Sequence, residues 1–132
     1  MARTAKDITE AELTILQVLW DLGPLSVRQI AQEVSRTGPP TQAATVQKLL
    51  ERLESKEWVE RDRSESIQKF IACGNRDDLI GQRLEGIAEQ LCEGSMTPLI
   101  SHLVRRQRLS SQDIKTLRDL IDELDRKGKK RD

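Results

Sequence analysis

The stretch "PPTQAATVQKLLERL", Pro39 to Leu53, gathers side chains suited to one kind of chemistry. Val46, Leu49, Leu50 and Leu53 recur at helical spacing and define an apolar face. Opposite them fall Thr41, Ala44, Gln47, Lys48, Glu51 and Arg52, with Gln42 and Thr45 flanking. Glutamine can pair bidentately with adenine, and threonine or alanine methyls can pack on thymine methyls in a DNA major groove. Lys48 and Arg52 are better placed for phosphates, which orient a protein on a duplex without reporting its sequence. Ala43 and Ala44 keep the helix surface low, so that it can sit deep. A Thr/Gln/Lys face is also the ordinary covering of any solvated helix, so taken alone these residues leave both readings open. Glu51 departs from what a groove-facing strip wants; local pairing with Lys48 or Arg52, or a place clear of the DNA, would accommodate it.

Other chemistry finds little to work with. Cys73 and Cys92 stand nineteen positions apart without a CxxC, and His102 is the one histidine of the chain. A zinc site usually needs four nitrogen, sulfur or carboxylate ligands at close spacing. The sequence therefore predicts no metal and no cofactor. It favours small, buried hydrophobes for both cysteines, with a thiol sensor as the open alternative. No GxSxG, P-loop or GxGxxG occurs, and the histidine has no nucleophile in a recognisable pattern. The chain does not read as an enzyme.

Its 132 residues suit one domain, or one small domain plus an assembly segment. Charged residues are 33 % and hydrophobic ones 36 %, and the lack of Tyr with a single Phe argues against a β-rich core. No apolar run approaches the roughly 20 residues of a membrane span. "MARTAKDITEAELT" has no apolar signal-peptide region, so a cytoplasmic location without membrane contact is expected. Formal net charge is zero, and Met1 to Ala72 holds ten Lys or Arg against eleven Asp or Glu. Phosphate neutralisation supplies much of DNA affinity, so any DNA-binding role requires the positive charge to be gathered on one face.

The elements that must position these residues follow from caps and periodicity. Thr9 with Glu12 makes a capping box. Leu13, Leu16, Val18, Leu19, Trp20 and Leu22 then mark a largely buried helix, with Trp20 in the core, that Gly23-Pro24 ends. "PLSV" is an extended link. Ser26 with Gln29 repeats the box and opens a second helix over roughly Val27 to Ser35, broken by "RTGPP". The third helix spans about Thr41 to Ser55. After it the period changes to two: "WVERDR", the turn residues "SES" and "IQKFIA" predict two strands joined by a tight turn. Three helices and a hairpin is the layout of a winged helix-turn-helix. Arg61, Arg63 and Lys69 on the wing, Arg28, and Ser26 at a helix start are then candidate phosphate contacts.

From "CGNRDD" onward the chain reads as helical. Leu79, Ile80, Leu84, Ile87 and Leu91 share one face, and Met96, Leu99, Ile100 and Leu103 form a second stripe after "EGS". Ser110 caps a last helix in which Ile114, Leu117, Ile121 and Leu124 approach an a/d seam, with Leu120 beside it. These faces are large for a segment that must fold alone. Burial against a second copy through Leu84, Ile87, Leu91, Leu99, Ile100, Leu103, Ile114, Leu117, Ile121 and Leu124 is the simplest remedy, a self-contained helical subdomain the alternative. The expected organisation is a winged-helix DNA-binding domain over 1–74, a helical dimerisation segment over 75–127 and a basic tail over 128–132.

With these elements placed, the sequence resembles the BlaI/MecI (penicillinase repressor) family of bacterial transcriptional regulators. "ITEAELTILQVLWDLGPLSVRQIAQEV" is similar to the family's opening helix, Leu-Trp, link and Val-x-x-Ile helix. "TVQKLLERLESKEWVERDRSES" is similar to its recognition helix and first wing strand. "EGSMTPLISHLVRRQRLSSQDIKTLRDLIDEL" resembles its dimerisation segment. The resemblance covers almost the whole chain and implies a homodimer that represses transcription from a near-palindromic operator. It also brings in a regulatory protease as a partner, because some members are inactivated by cleavage in the dimerisation segment. The corresponding "PLISHLVRRQ" has no Asn-Phe pair like the one cut in those members, and the tail lacks the cysteine-rich motif of copper-responsive relatives. A second reading, from another class, is a helical protein-interaction adaptor whose winged helix binds a protein partner.

Overall fold

Helix α1 (Glu10–Leu22) begins at the predicted capping box, with the Thr9 N–H donating to Glu12 Oε1 at 2.8 Å and the Glu12 N–H to Thr9 Oγ1 at 3.2 Å. It ends at Gly23, whose φ of 83° is the left-handed conformation a glycine tolerates. The computed structural model describes residues 8–106 and 108–131. Over these the element order is α1, α2 (Val27–Thr37), α3 (Ala43–Ser55), β1 (Val59–Asp62), β2 (Lys69–Ala72), α4 (Arg76–Leu91), α5 (Thr97–Arg106) and α6 (Ser111–Arg131). Mostly helical with one antiparallel hairpin, this is the expected fold class.

The described residues divide into two compact units between Ile87 and Ala88. In the first, Ile15, Leu16 and Leu19 of α1 share a core with Ile30 of α2 and with Val46, Leu50 and Leu53 of α3. Trp58, Val59 and Phe70 of the hairpin segment complete it, with Leu79 of α4. A lone hairpin is marginal in water. Burying Trp58 and Phe70 completely, at about 2–3 kcal/mol for each large side chain, gives this one its stability.

Several expectations are corrected here. Leu22, the last residue of α1, is 54 % exposed, while Ile15, not among the residues expected to be buried, takes a core place. Trp20 is half-buried rather than internal; its indole Nε1 donates to the Gly74 carbonyl at 2.7 Å and its ring carries the Arg76 guanidinium at 5.4 Å. The wing connection is not tight: six residues, Arg63 to Gln68, separate the strands, and the Ser64 N–H bonds Asp62 Oδ1 at 3.0 Å to start the reversal. Neither cysteine is buried. Cys73 is exposed just past β2, where its backbone N–H still donates to the Trp58 carbonyl at 2.9 Å, and Cys92 is half-buried just past α4. Of the apolar face read along Leu79, Ile80, Leu84, Ile87 and Leu91, Leu79 joins the first unit's core, Leu84 is half-buried, and Ile80, Ile87 and Leu91 are exposed.

In the second unit, α6 is capped by Ser110 and Asp113 as predicted, with bonds of 3.2 and 3.0 Å in the two directions. No α5 residue is buried. Leu103, Ile114, Leu117, Leu120, Ile121 and Leu124 are between 39 and 69 % exposed. No described helix is long and apolar enough to cross a membrane.

Candidate nucleic-acid interface

The third helix is presented by three fixed points. The first is its entry. Ser35 Oγ, in the last turn of α2, accepts from the Thr41 N–H at 2.9 Å and donates to the Thr41 carbonyl at 3.3 Å. Thr41 turns its hydroxyl back to the Pro39 carbonyl at 3.1 Å instead of capping α3. The helix therefore starts two residues later than the sequence suggested, at Ala43, with Gln42 as a cap residue whose side chain makes no cap bond. Thr41 lies in the lead-in, half-buried, and not on the helix face.

The second fixed point is the far end. Lys56, the C-cap of α3, places Nζ 2.8 and 2.9 Å from the two carboxylate oxygens of Glu12, which is fully buried in α1. Burial pushes the Glu12 carboxyl up, but the hydrogen bonds from Lys56 and Thr9 together with the lysine charge outweigh it and hold the group below its ordinary value of 4.5. Third, Val46, Leu50 and Leu53 seat the helix on the core with none of their surface exposed.

The opposite side of α3 is thereby turned outward. Ala43, Ala44, Thr45, Lys48, Glu51 and Arg52 are exposed and Gln47 is half-buried. Among the described residues no ion pair engages Arg28, Lys48, Arg52 or Arg63. Glu51 does not pair with Lys48 or Arg52; it accepts from Gln47 Nε2 at 3.2 Å, one turn back.

The wing joins the same surface through a contact with the link before α2. Leu25 and Phe70 exchange both backbone bonds, at 3.3 and 2.8 Å, as an isolated antiparallel bridge. This brings the start of α2 beside β2. Ser26, which caps α2 reciprocally with Gln29, then shares a cleft of about 350 Å3 with Arg28, Gln32, Glu65 and Lys69. The wing cations differ in their commitments. Arg61 is half-buried, with Nε 2.9 Å from Glu54 Oε2, Nη1 3.2 Å from Gln68 Oε1 and its guanidinium 5.3 Å from the Phe70 ring centre. The Glu54 bond holds the Arg61 guanidinium more strongly protonated than usual. Lys69 meets Glu65 at 3.2 Å, and Arg63 is exposed on the loop.

The exposed residues of α3 were readable from the sequence, and the contacts that hold the helix were not. Glu12 read as a capping residue, and nothing in its spacing announces a partner 44 positions away. The Leu25–Phe70 bridge had one signal, the extended "PLSV" link. Among the described residues no group of His, Cys, Asp and Glu could hold a metal ion.

A backbone-supported helix with a low, amide-bearing outer face, flanked by cations on α2 and the wing, can lie in a groove and grip the strands beside it. The comparisons point the same way. The sequence model of the family described as penicillinase repressor matches residues 8–123. The penicillinase repressor of Staphylococcus aureus is 24 % identical over 127 residues, spanning 96 % of this chain and 100 % of that one. The HTH-type transcriptional regulator MgrA of the same organism is 26 % identical over 91 residues, 67 % of this chain and 58 % of that protein. Among solved structures, a transcriptional regulator from Thermotoga maritima superposes with a TM-score of 0.51 at 18 % identity, covering 95 % of this chain and 79 % of that one, a likeness of fold.

Proposed function

The chain belongs to the penicillinase repressor family, and we propose that this DNA-binding transcriptional repressor works as a homodimer that occupies a near-palindromic operator. The family is one of repressors and not of enzymes, so the function is occupancy: the bound protein denies the promoter to the transcription machinery. In this reading residues 1–74 bind DNA, 75–127 dimerise and 128–132 are a basic tail, and the protein works in the cytoplasm.

Gln42, Ala44, Thr45 and Gln47 face base edges from the first turns of α3, with Thr41 close behind them, and Lys48 and Arg52 take phosphates. Ser26 and Arg28 at the start of α2 grip one strand, and Arg63 and Lys69 on the wing grip it further along. Arg61 contributes mainly by holding the wing to Glu54. The second copy covers the apolar residues of α4, α5 and α6, from Leu84 and Ile87 through Leu99 to Leu124.

The observation that carries this reading is the family match over 8–123 on a chain whose third helix turns a charge-flanked amide face outward. Its test is binding of the full-length chain to the duplex upstream of its own gene. A dimer with six to ten phosphate contacts loses about a thousandfold or more in affinity between 50 and 200 mM salt. Footprints of two half-sites about one helical turn apart, or a multiple of it, are expected. Undetectable affinity for any duplex at low salt overturns the proposal.

A further inference from the structure

Glu51 is the anomaly of the interface. Ala44, Lys48 and Glu51 lie on the side of α3 opposite buried Val46, Leu50 and Leu53, so a carboxylate stands within the strip that faces DNA. Near the phosphate walls of a groove it would be repelled. Toward the floor of a major groove it meets base edges instead, and there its chemistry is selective: an ionised carboxylate accepts hydrogen bonds and donates none.

Its contact with Gln47 extends that selectivity. Gln47 Nε2 donates to Glu51 Oε1 at 3.2 Å. Because the carboxylate can only accept, the amide must turn its NH2 end toward Glu51, which leaves Gln47 Oε1 directed elsewhere as an acceptor. An unrestrained glutamine can flip end for end; one held this way commits one of its two amide hydrogens to Glu51 and keeps its oxygen free to accept, so beside the carboxylate the balance of the pair is toward acceptance. The pair thus offers a carbonyl oxygen and a carboxylate from positions about one helical turn apart.

We propose that Gln47 and Glu51 together determine sequence specificity, selecting a base that presents an exocyclic amino group in the major groove, adenine N6 or cytosine N4. Guanine, with O6 and N7, and thymine, with O4, oppose acceptor to acceptor and are rejected. The inference rests on the repressor reading. It gives Glu51 a role on the DNA and does not treat it as a tolerated charge.

The test is selection of bound duplexes from a randomised pool by the full-length chain, by Glu51→Ala and Glu51→Gln, and by Gln47→Ala. Glu51 is exposed and Gln47 half-buried, and circular dichroism melts check that each variant folds. The wild-type selection is expected to fix adenine or cytosine at one position of each half-site, and which of the two appears identifies the amino group read. Glu51→Ala and Gln47→Ala should lower the discrimination against guanine and thymine there by roughly tenfold, with the other positions unchanged. Glu51→Gln supplies a donor and should admit guanine at the same position. Unchanged preferences in both alanine variants overturn the inference and leave the repressor reading standing, as does a Glu51-dependent position fixed as guanine or thymine. A wild-type chain that enriches no sequence overturns both.

Discussion

Lys56 Nζ lies 2.8 and 2.9 Å from the two carboxylate oxygens of Glu12 and joins the C-terminal cap of α3 to the one buried carboxylate in the first turn of α1. One carboxylate thus completes the cap of one helix and fixes the end of another. Removing the lysine would leave a buried charge uncompensated. Lys56→Met is expected to lower the unfolding free energy by about 2–3 kcal/mol, less than for a wholly buried pair because part of the lysine side chain still meets solvent. Chemical denaturation checks this, and Glu12→Gln with Lys56→Met should recover part of the loss.

The same pair predicts an acid limb. Glu12 is depressed in the folded protein, so the unfolded chain takes up its proton first as pH falls. Its contribution to stability is complete above the ordinary value of 4.5 and is lost as pH drops below that through the depressed value. The stability difference between wild type and Glu12→Gln, measured by urea unfolding at a series of pH values, should be constant near neutrality and shrink across this acid range. A difference that grows on acidification would contradict the sign.

Arg61 and Arg63 stand two residues apart on the wing and should fail differently. Arg61 is tied to Glu54 and Gln68 and lies over Phe70. Arg61→Ala is expected to cost about 1 kcal/mol of stability and to loosen the wing. Arg63→Ala should leave the melting temperature unchanged and weaken DNA binding at every sequence. Thermal melts beside fluorescence-anisotropy titrations separate the two.

Lys48→Ala and Arg52→Ala should each weaken binding across sequences and reduce the salt slope of log affinity by about one. Titrations at several salt concentrations read that slope directly. If both substitutions leave it unchanged, α3 does not lie along the phosphates in the proposed way.

Dimerisation has its own test. Leu117 is 39 % and Ile121 62 % exposed on α6, and a buried aspartate lacking a partner is costly. Leu117→Asp with Ile121→Asp should give a monomer in analytical ultracentrifugation. Tryptophan emission should be unchanged, because Trp20 and Trp58 belong to the first unit, and operator affinity should fall steeply.

Local signals in the sequence carried far. The capping boxes at Thr9, Ser26 and Ser110 depend on side chains three residues apart, so their helix starts were legible, and the change to period two located the hairpin. Contacts between distant segments were not legible. The reach of Lys56 to Glu12, the bond from Trp20 to Gly74 and the Leu25–Phe70 bridge each need the fold to bring their partners together. The start of α3 was misplaced because Ser35 holds the Thr41 backbone, a contact that no propensity for residues 41–43 encodes. For the interface, the residue types were readable while their pairings were not: Arg61 with Glu54 and Gln47 with Glu51 follow from geometry.

The Leu25–Phe70 bridge also bears on how the protein behaves when concentrated. It gives β2 a hydrogen-bonding neighbour on each side, β1 along one flank and the link before α2 on the other. The remaining margin belongs to β1, four residues long and carrying Glu60, Arg61 and Asp62. A margin so short and so charged is a poor template for strand addition by another chain. The wing can therefore project into solution as exposed sheet while offering another chain little edge to extend.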